Sequence, residues 1–108
     1  MNLVINLDKP KGMTSQEAVT TVKKLLHVKK AGHAGTLDPI ATGVLLICLN
    51  EATKITRFLT DLNKEYIARI KLGERTDTLD SEGRVIERVE GFSFTKEEII
   101  HVLNRFQG

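Results

Sequence analysis

The sequence predicts an α+β or mixed α/β layer rather than a regular doubly wound fold. Three observations carry this expectation. Helical and strand periodicities are interleaved along the chain. One nearly continuous apolar run, Gly43 to Leu49, reads as a strand buried on both faces. Two further strand-like segments near the end are joined by a polar connection, which suggests a hairpin-type pair rather than a helical crossover.

The elements follow in order. Leu3 to Leu7 is a short apolar run and reads as a buried strand. Lys9-Pro10-Lys11-Gly12 breaks it with turn chemistry. Thr14, with Glu17 three residues on, forms a capping box and starts a helix. Ala18, Val19, Val22, Leu25 and Leu26 give that helix an apolar face. Lysines 23, 24, 29 and 30 crowd its C-terminal end, where the helix dipole favours cations. Gly32 to Pro39 has neither helical nor strand period and reads as a structured loop. After the Gly43–Leu49 strand, Ala52, Ile55, Phe58, Leu59 and Leu62 repeat at helical spacing. Tyr66, Ala68, Ile70 and Leu72 then alternate as a half-buried strand would. Gly73 to Gly83 is a polar, acid-rich connection, and Val85 to Val89 a weaker strand. Thr95 and Glu98 form a second capping box, and Ile99, Ile100, Leu103 and Phe106 supply the last helix's apolar face.

Composition narrows the function classes. The 108 residues are 41% hydrophobic and 28% charged, which suits one folded domain with a modest core and argues against disorder. The strongest apolar run is too short to span a bilayer, and the N-terminus lacks the pattern of a secretory signal. Cys48 alone allows no internal disulfide and no multi-cysteine zinc site, so a cytoplasmic location is expected. His27, His33 and His101 form no metal-ligand spacing, and no phosphate-loop or dinucleotide fingerprint occurs. Residues 1–57 carry eight Lys and Arg against four acids, whereas residues 58–108 carry eight against ten. A basic first half suits a polyanion such as nucleic acid, or is simply an unevenly charged surface. Aromatics make up only 5% of residues, so an RNA would be held by phosphate contacts and shape rather than by a multi-base stacking platform.

The loop around Asp38 is the first candidate for chemistry. Pro39 pushes Asp38 out of the helical region, and Gly32 and Gly35 permit unusual backbone angles and close approach of a ligand. Asp38-Pro39 is equally a good N-cap and first-turn pair, which would make Asp38–Thr42 one short helical turn. His33 reads as readily as a surface or hydrogen-bonded histidine, Tyr66 as a core strand residue and Asp80 as part of a solvated turn.

The contiguous block Gly32-His33-Ala34-Gly35-Thr36-Leu37-Asp38-Pro39-Ile40-Ala41-Thr42-Gly43 resembles the signature of the TruB family of tRNA pseudouridine synthases. Leu7-Asp8-Lys9-Pro10-Lys11-Gly12-Met13-Thr14-Ser15 resembles that family's N-terminal motif. Lys64-Glu65-Tyr66 and the stretch from Leu72 to Asp80 resemble its tyrosine strand and the acidic loop after it. One departure is Asn50, where the family pattern has Gly; Asn is the next-best residue for a left-handed turn.

The resemblance implies the α+β pseudouridine synthase fold, a mixed, mostly antiparallel sheet flanked by helices, of which this chain would be the N-terminal half. It implies isomerisation of uridine to pseudouridine at position 55 in the T arm of tRNA, without cofactor, nucleotide or metal. The family's catalytic carboxylate falls on Asp38 and its active-site tyrosine on Tyr66. His33 falls on the histidine that fills the space left by the everted base. Lys9 and Pro10 fall on the motif packed beside the catalytic loop. Gly32, Gly35, Thr36 and Leu37 belong to the RNA-facing loop itself, and Asp80 to an acidic position that helps organise the site. The expected partner is the tRNA T stem-loop, with no membrane and no metal, and a monomer when full length. The rest of the catalytic domain, with an Arg that pairs with the carboxylate, and a C-terminal PUA-like RNA-binding domain would lie outside these residues. The chain alone is then expected to be inactive and to expose an apolar surface or an unfilled sheet edge. Two alternatives are an RNA-binding or tRNA-folding module without turnover, and a guide-RNA-dependent rRNA pseudouridine synthase of the same superfamily.

Overall fold

A computed structural model describes residues 1–107. Contacts divide the chain into two compact units, Met1–Tyr66 and Ile67–Gly108.

The first unit is built on a three-stranded antiparallel sheet. β1 (Val4–Lys9), β2 (Ala31–Ala34) and β3 (Gly43–Leu49) lie in the order β1-β3-β2. Register pairs Val4 with Cys48 and Lys9 with Gly43 on one side of β3, and Ala31 with Leu49 and Ala34 with Leu46 on the other. Because side chains alternate along a strand, Ile5, Leu7, Leu45, Ile47 and Leu49 share one face. Helix α1 (Ser15–Leu25) packs there through Ala18 and Val19, with Val22, Val28, Ala31 and Leu37 around the rim. Leu45, Ile47 and Leu49 are wholly buried, and each contributes roughly 1.5–3 kcal/mol of burial. α1 begins at the predicted N-cap: the Thr14 hydroxyl accepts the Glu17 N–H at 3.0 Å. A 3₁₀ turn (Asn50–Ile55) follows β3 and runs into the short helix α2 (Thr56–Thr60). Asn50 opens it at φ +53, the left-handed angle expected of that position.

The second unit holds an antiparallel ribbon of β4 (Glu74–Thr76) and β5 (Val85–Arg88), followed by α3 (Lys96–Asn104). Glu74 faces Arg88 and Arg75 faces Glu87 across the ribbon, and both pairs are ion pairs, at 3.2 and 3.3 Å. Thr95 caps α3 in the same way, its hydroxyl accepting the Glu98 N–H at 3.1 Å.

Several expectations need correction. The Gly32–Pro39 loop begins as a strand: Gly32, His33 and Ala34 lie in β2, stabilised by backbone pairing with β3 that small residues do not advertise through alternation. The alternating stretch Tyr66–Leu72 forms no strand, because no partner strand stands beside it among the described residues; Ile67 is 97% exposed. The hairpin instead uses Glu74–Thr76, inside the segment read as a polar connection. Every strand pair among the described residues is antiparallel, in keeping with the expected α+β class. β3 is buried on both faces only toward its end, where Cys48 is sealed; Val44 is 64% exposed. The apolar face of α3, Ile99, Ile100, Leu103 and Phe106, is exposed throughout, as an unpartnered apolar surface would be.

Candidate active site

The loop Gly35–Thr42 joins β2 to β3 and emerges beside the end of β1, since Lys9 is the register partner of Gly43. Its shape starts with Gly35, at φ +80, an angle that strains any residue with a β-carbon. A β-carbon there would also come within 3.0 Å of Lys64 Nζ. Gly32 needs no such freedom: it sits in a regular strand, and a β-carbon on it would meet nothing within 4 Å.

Asp38 opens a β-turn. Its carbonyl accepts the Ala41 N–H at 2.9 Å, and Pro39 occupies the second position, where its fixed φ is already correct. Asp38–Thr42 is therefore a turn and not a short helix. The Asp38 carboxylate is exposed and takes part in no hydrogen bond or ion pair among the described residues, so it caps nothing.

Three contacts tie this turn to the rest of the unit. Lys9 is fully buried at the end of β1, and its ammonium donates to the carbonyls of Met13 at 2.6 Å, Pro10 at 2.9 Å and Pro39 at 3.3 Å. Three N–H groups thus meet three acceptors. The Gly12 N–H reaches the same Pro39 carbonyl at 2.6 Å. On the other side, buried Ser15 both donates to the Leu37 carbonyl at 3.0 Å and accepts the Leu37 N–H at 2.9 Å. The residue just before Asp38 is held by both its backbone groups, and the residue just after it by two donors.

Ser15 closes the N-terminal motif read from the sequence, but no role in the site was expected of it. It follows an N-cap threonine, where a serine ordinarily reads as part of the helix start. Ser15→Ala leaves both Leu37 backbone groups without partners, at about 1–3 kcal/mol. The expected result is a melting midpoint lower by several degrees, with faster hydrogen exchange at the Leu37 amide.

The remaining candidates are placed as follows. Thr36 is exposed on the loop, Leu37 is half-buried against the core, and Pro10 is exposed in the turn that Lys9 closes. His33 lies on β2 opposite Ile47, with a buried Nδ1 that has no partner. Tyr66 ends the first unit, 64% exposed and outside any regular strand. Asp80 belongs to the second unit. Its carboxylate accepts the Thr78 hydroxyl at 2.6 Å and the Glu82 N–H at 2.9 Å, and these bonds, the hydroxyl first, hold it below the usual carboxylate range. It is thus occupied in shaping its own turn. The structure brings Lys9, Pro10, Leu37 and Asp38 together around one turn. No helix among the described residues is long and apolar enough to cross a membrane.

Residues 23–108 fit a family model described as TruB family pseudouridylate synthase (N terminal domain). A tRNA pseudouridine synthase B of Clostridium tetani is 48% identical over 108 residues, covering 100% of this chain and 37% of that protein. One from Haemophilus influenzae is 50% identical over 105 residues, covering 97% of this chain and 33% of that protein. The chain therefore spans about a third of the length of these curated relatives. A chain in the structure of an H/ACA RNP bound to a substrate RNA containing 2'-deoxyuridine superposes with a TM-score of 0.65 at 32% identity, covering 97% of this chain and 27% of that one.

Proposed function

The chain belongs to the TruB family of pseudouridylate synthases, and from that membership we propose that residues 1–108 form the N-terminal portion of the catalytic domain of a tRNA pseudouridine synthase, with Asp38 as its catalytic carboxylate. The observation that carries the proposal is an exposed carboxylate with no structural partner on a turn whose flanking residues are fixed. Such rigidity around a free reactive group is what positioning catalysis needs.

The reaction detaches uracil from C1′ at N1, turns it and rejoins it through C5; the proton on C5 is lost and N1 gains one. A carboxylate can serve it by attack at C1′, by attack at C6, or by taking the C2′ proton. Each route needs Asp38 ionised and within reach of an everted nucleotide. Tyr66 is assigned to stacking on the target base and to proton handling at C5. His33 fills the space the base leaves. Lys9, Pro10, Gly35 and Leu37 hold the turn, while Gly32 and Thr36 line the RNA side and Asp80 orders the acidic loop. The remainder of the catalytic domain and a PUA-like module complete the protein. No cofactor enters the scheme, because the isomerisation involves no redox change and no external group. The substrate is the T arm of tRNA rather than a guide-paired rRNA, a choice supported by the 48–50% identity that the proteins named as tRNA synthases keep over nearly the whole chain, against 32% over the same span for the H/ACA chain. The lone buried thiol of Cys48 supports a reducing, cytoplasmic setting.

The full-length protein, given a tRNA transcript carrying C5-tritiated uridine, is expected to release one equivalent of tritium per tRNA without any guide RNA. A transcript with cytidine at the T-arm target should release none. A requirement for a guide, or release from other positions alone, would overturn the assignment.

A further inference from the structure

We infer that the C-terminal end of α1 carries a second RNA contact, a groove that takes the phosphodiester backbone away from Asp38. The identity of the polyanion rests on the proposed function; the groove itself does not. It has a volume of about 520 Å³, with Val19, Val28 and Ala31 as apolar floor and Lys23, Lys24 and His27 on the rim. Lys29 and Lys30 follow directly, so residues 23–30 hold four lysines and a histidine and no acid. None of these lysines makes an ion pair among the described residues; Glu51, on which Lys30 acts only as the last and weakest influence, is paired with Lys54.

A bland reading of this charge is that it answers the helix dipole. The dipole amounts to roughly half a negative charge at the helix end. Four ammonium groups exceed that several-fold, so the groove stays positive after the dipole is offset.

The backbone adds a second reason. α1 closes with a left-handed residue, His27 at φ +54. The Val28 N–H returns to the Lys23 carbonyl at 3.2 Å and the His27 N–H to the Lys24 carbonyl at 3.4 Å. These bonds occupy carbonyls that would otherwise repel a phosphate. Glycine takes the left-handed position without strain, yet an imidazole stands there, on the groove rim, able to donate to a phosphate oxygen. Ser15, at the other end of the same helix, grips the residue before Asp38. An α-helix rises about 1.5 Å per residue, so eleven residues set the two contacts about 16 Å apart along one rigid rod.

The test uses the full-length protein and a fluorescein-labelled, unmodified tRNA transcript, with anisotropy titrations between about 50 and 200 mM KCl. The Lys23→Ala, Lys24→Ala double variant should raise Kd at low salt about tenfold or more. It should also make the slope of log Kobs against log[salt] shallower by roughly 1.5, as loss of two phosphate contacts requires. In turnover, KM should rise with kcat unchanged. His27→Gly should weaken binding severalfold while the melting midpoint stays level or rises, because the glycine relieves the left-handed strain; this separates contact from folding. A double variant with the parent's Kd and salt slope would overturn the inference. Product formation by that same variant at saturating tRNA would still leave the assignment of activity standing.

Discussion

Asp38→Asn in the full-length protein is expected to lower tRNA turnover by at least about a thousandfold while leaving the melting midpoint unchanged. The chemistry sets the first half. An amide is neither a competent nucleophile nor a base, and loss of a single essential catalytic side chain removes factors of about 10⁴–10⁶ where such groups have been deleted singly. The structure sets the second half. The Asp38 side chain holds nothing: the turn is fixed by its carbonyl, by Pro39 and by the grips of Lys9, Gly12 and Ser15 on its neighbours. Had the side chain been a helix N-cap, its loss would cost about 1 kcal/mol and the midpoint would fall. Single-turnover measurement with tritiated tRNA, beside a thermal melt, reads both quantities. Turnover near the parent's would remove Asp38 from the chemistry.

Lys9→Met is expected to destabilise the first unit by about 2–4 kcal/mol. The substitution keeps much of the volume and removes the cost of burying a charge. It also strips the Pro10 and Met13 carbonyls of their donor, at about 1–3 kcal/mol each, whereas the Pro39 carbonyl keeps the Gly12 N–H. Against a typical total of 5–15 kcal/mol this is a large share. Urea denaturation should show a lower midpoint at unchanged m-value. Lys11→Met, on an exposed residue two positions on, should fall within about 0.5 kcal/mol of the parent. Equal stability of Lys9→Met and the parent would mean that the three bonds hold nothing that water cannot replace.

Local signals were the readable ones. Both N-caps, Thr14 accepting from Glu17 and Thr95 from Glu98, formed where they were read, because an N-cap needs only neighbouring residues; the return bond from each glutamate side chain that would complete a capping box is not among the hydrogen bonds of the described residues. The left-handed Asn50 was readable for the same reason. Strand pairing was not. Ala31-Gly32-His33-Ala34 becomes a strand because β3 offers it a ladder, and nothing in four small residues announces that. Tyr66–Leu72 has the alternation but no ladder, so the pattern alone produced no strand. At the site, the motif pointed to Asp38, but its backbone geometry depends on Ser15 and Lys9, which are 22 and 30 residues from their partners on the loop. Periodicity carries no trace of contacts at that separation; only the resemblance of the Leu7–Ser15 segment placed Lys9 beside the loop.

The strand order β1-β3-β2 also sets a timetable. The central strand is the last of the three to be synthesised. As the chain leaves the ribosome, residues 4–9 and 31–34 have emerged with nothing to pair with, and both wait for residues 43–49. The Asp38 turn lies in the stretch made just before that strand. The turn therefore takes the form seen here only when the sheet closes around β3.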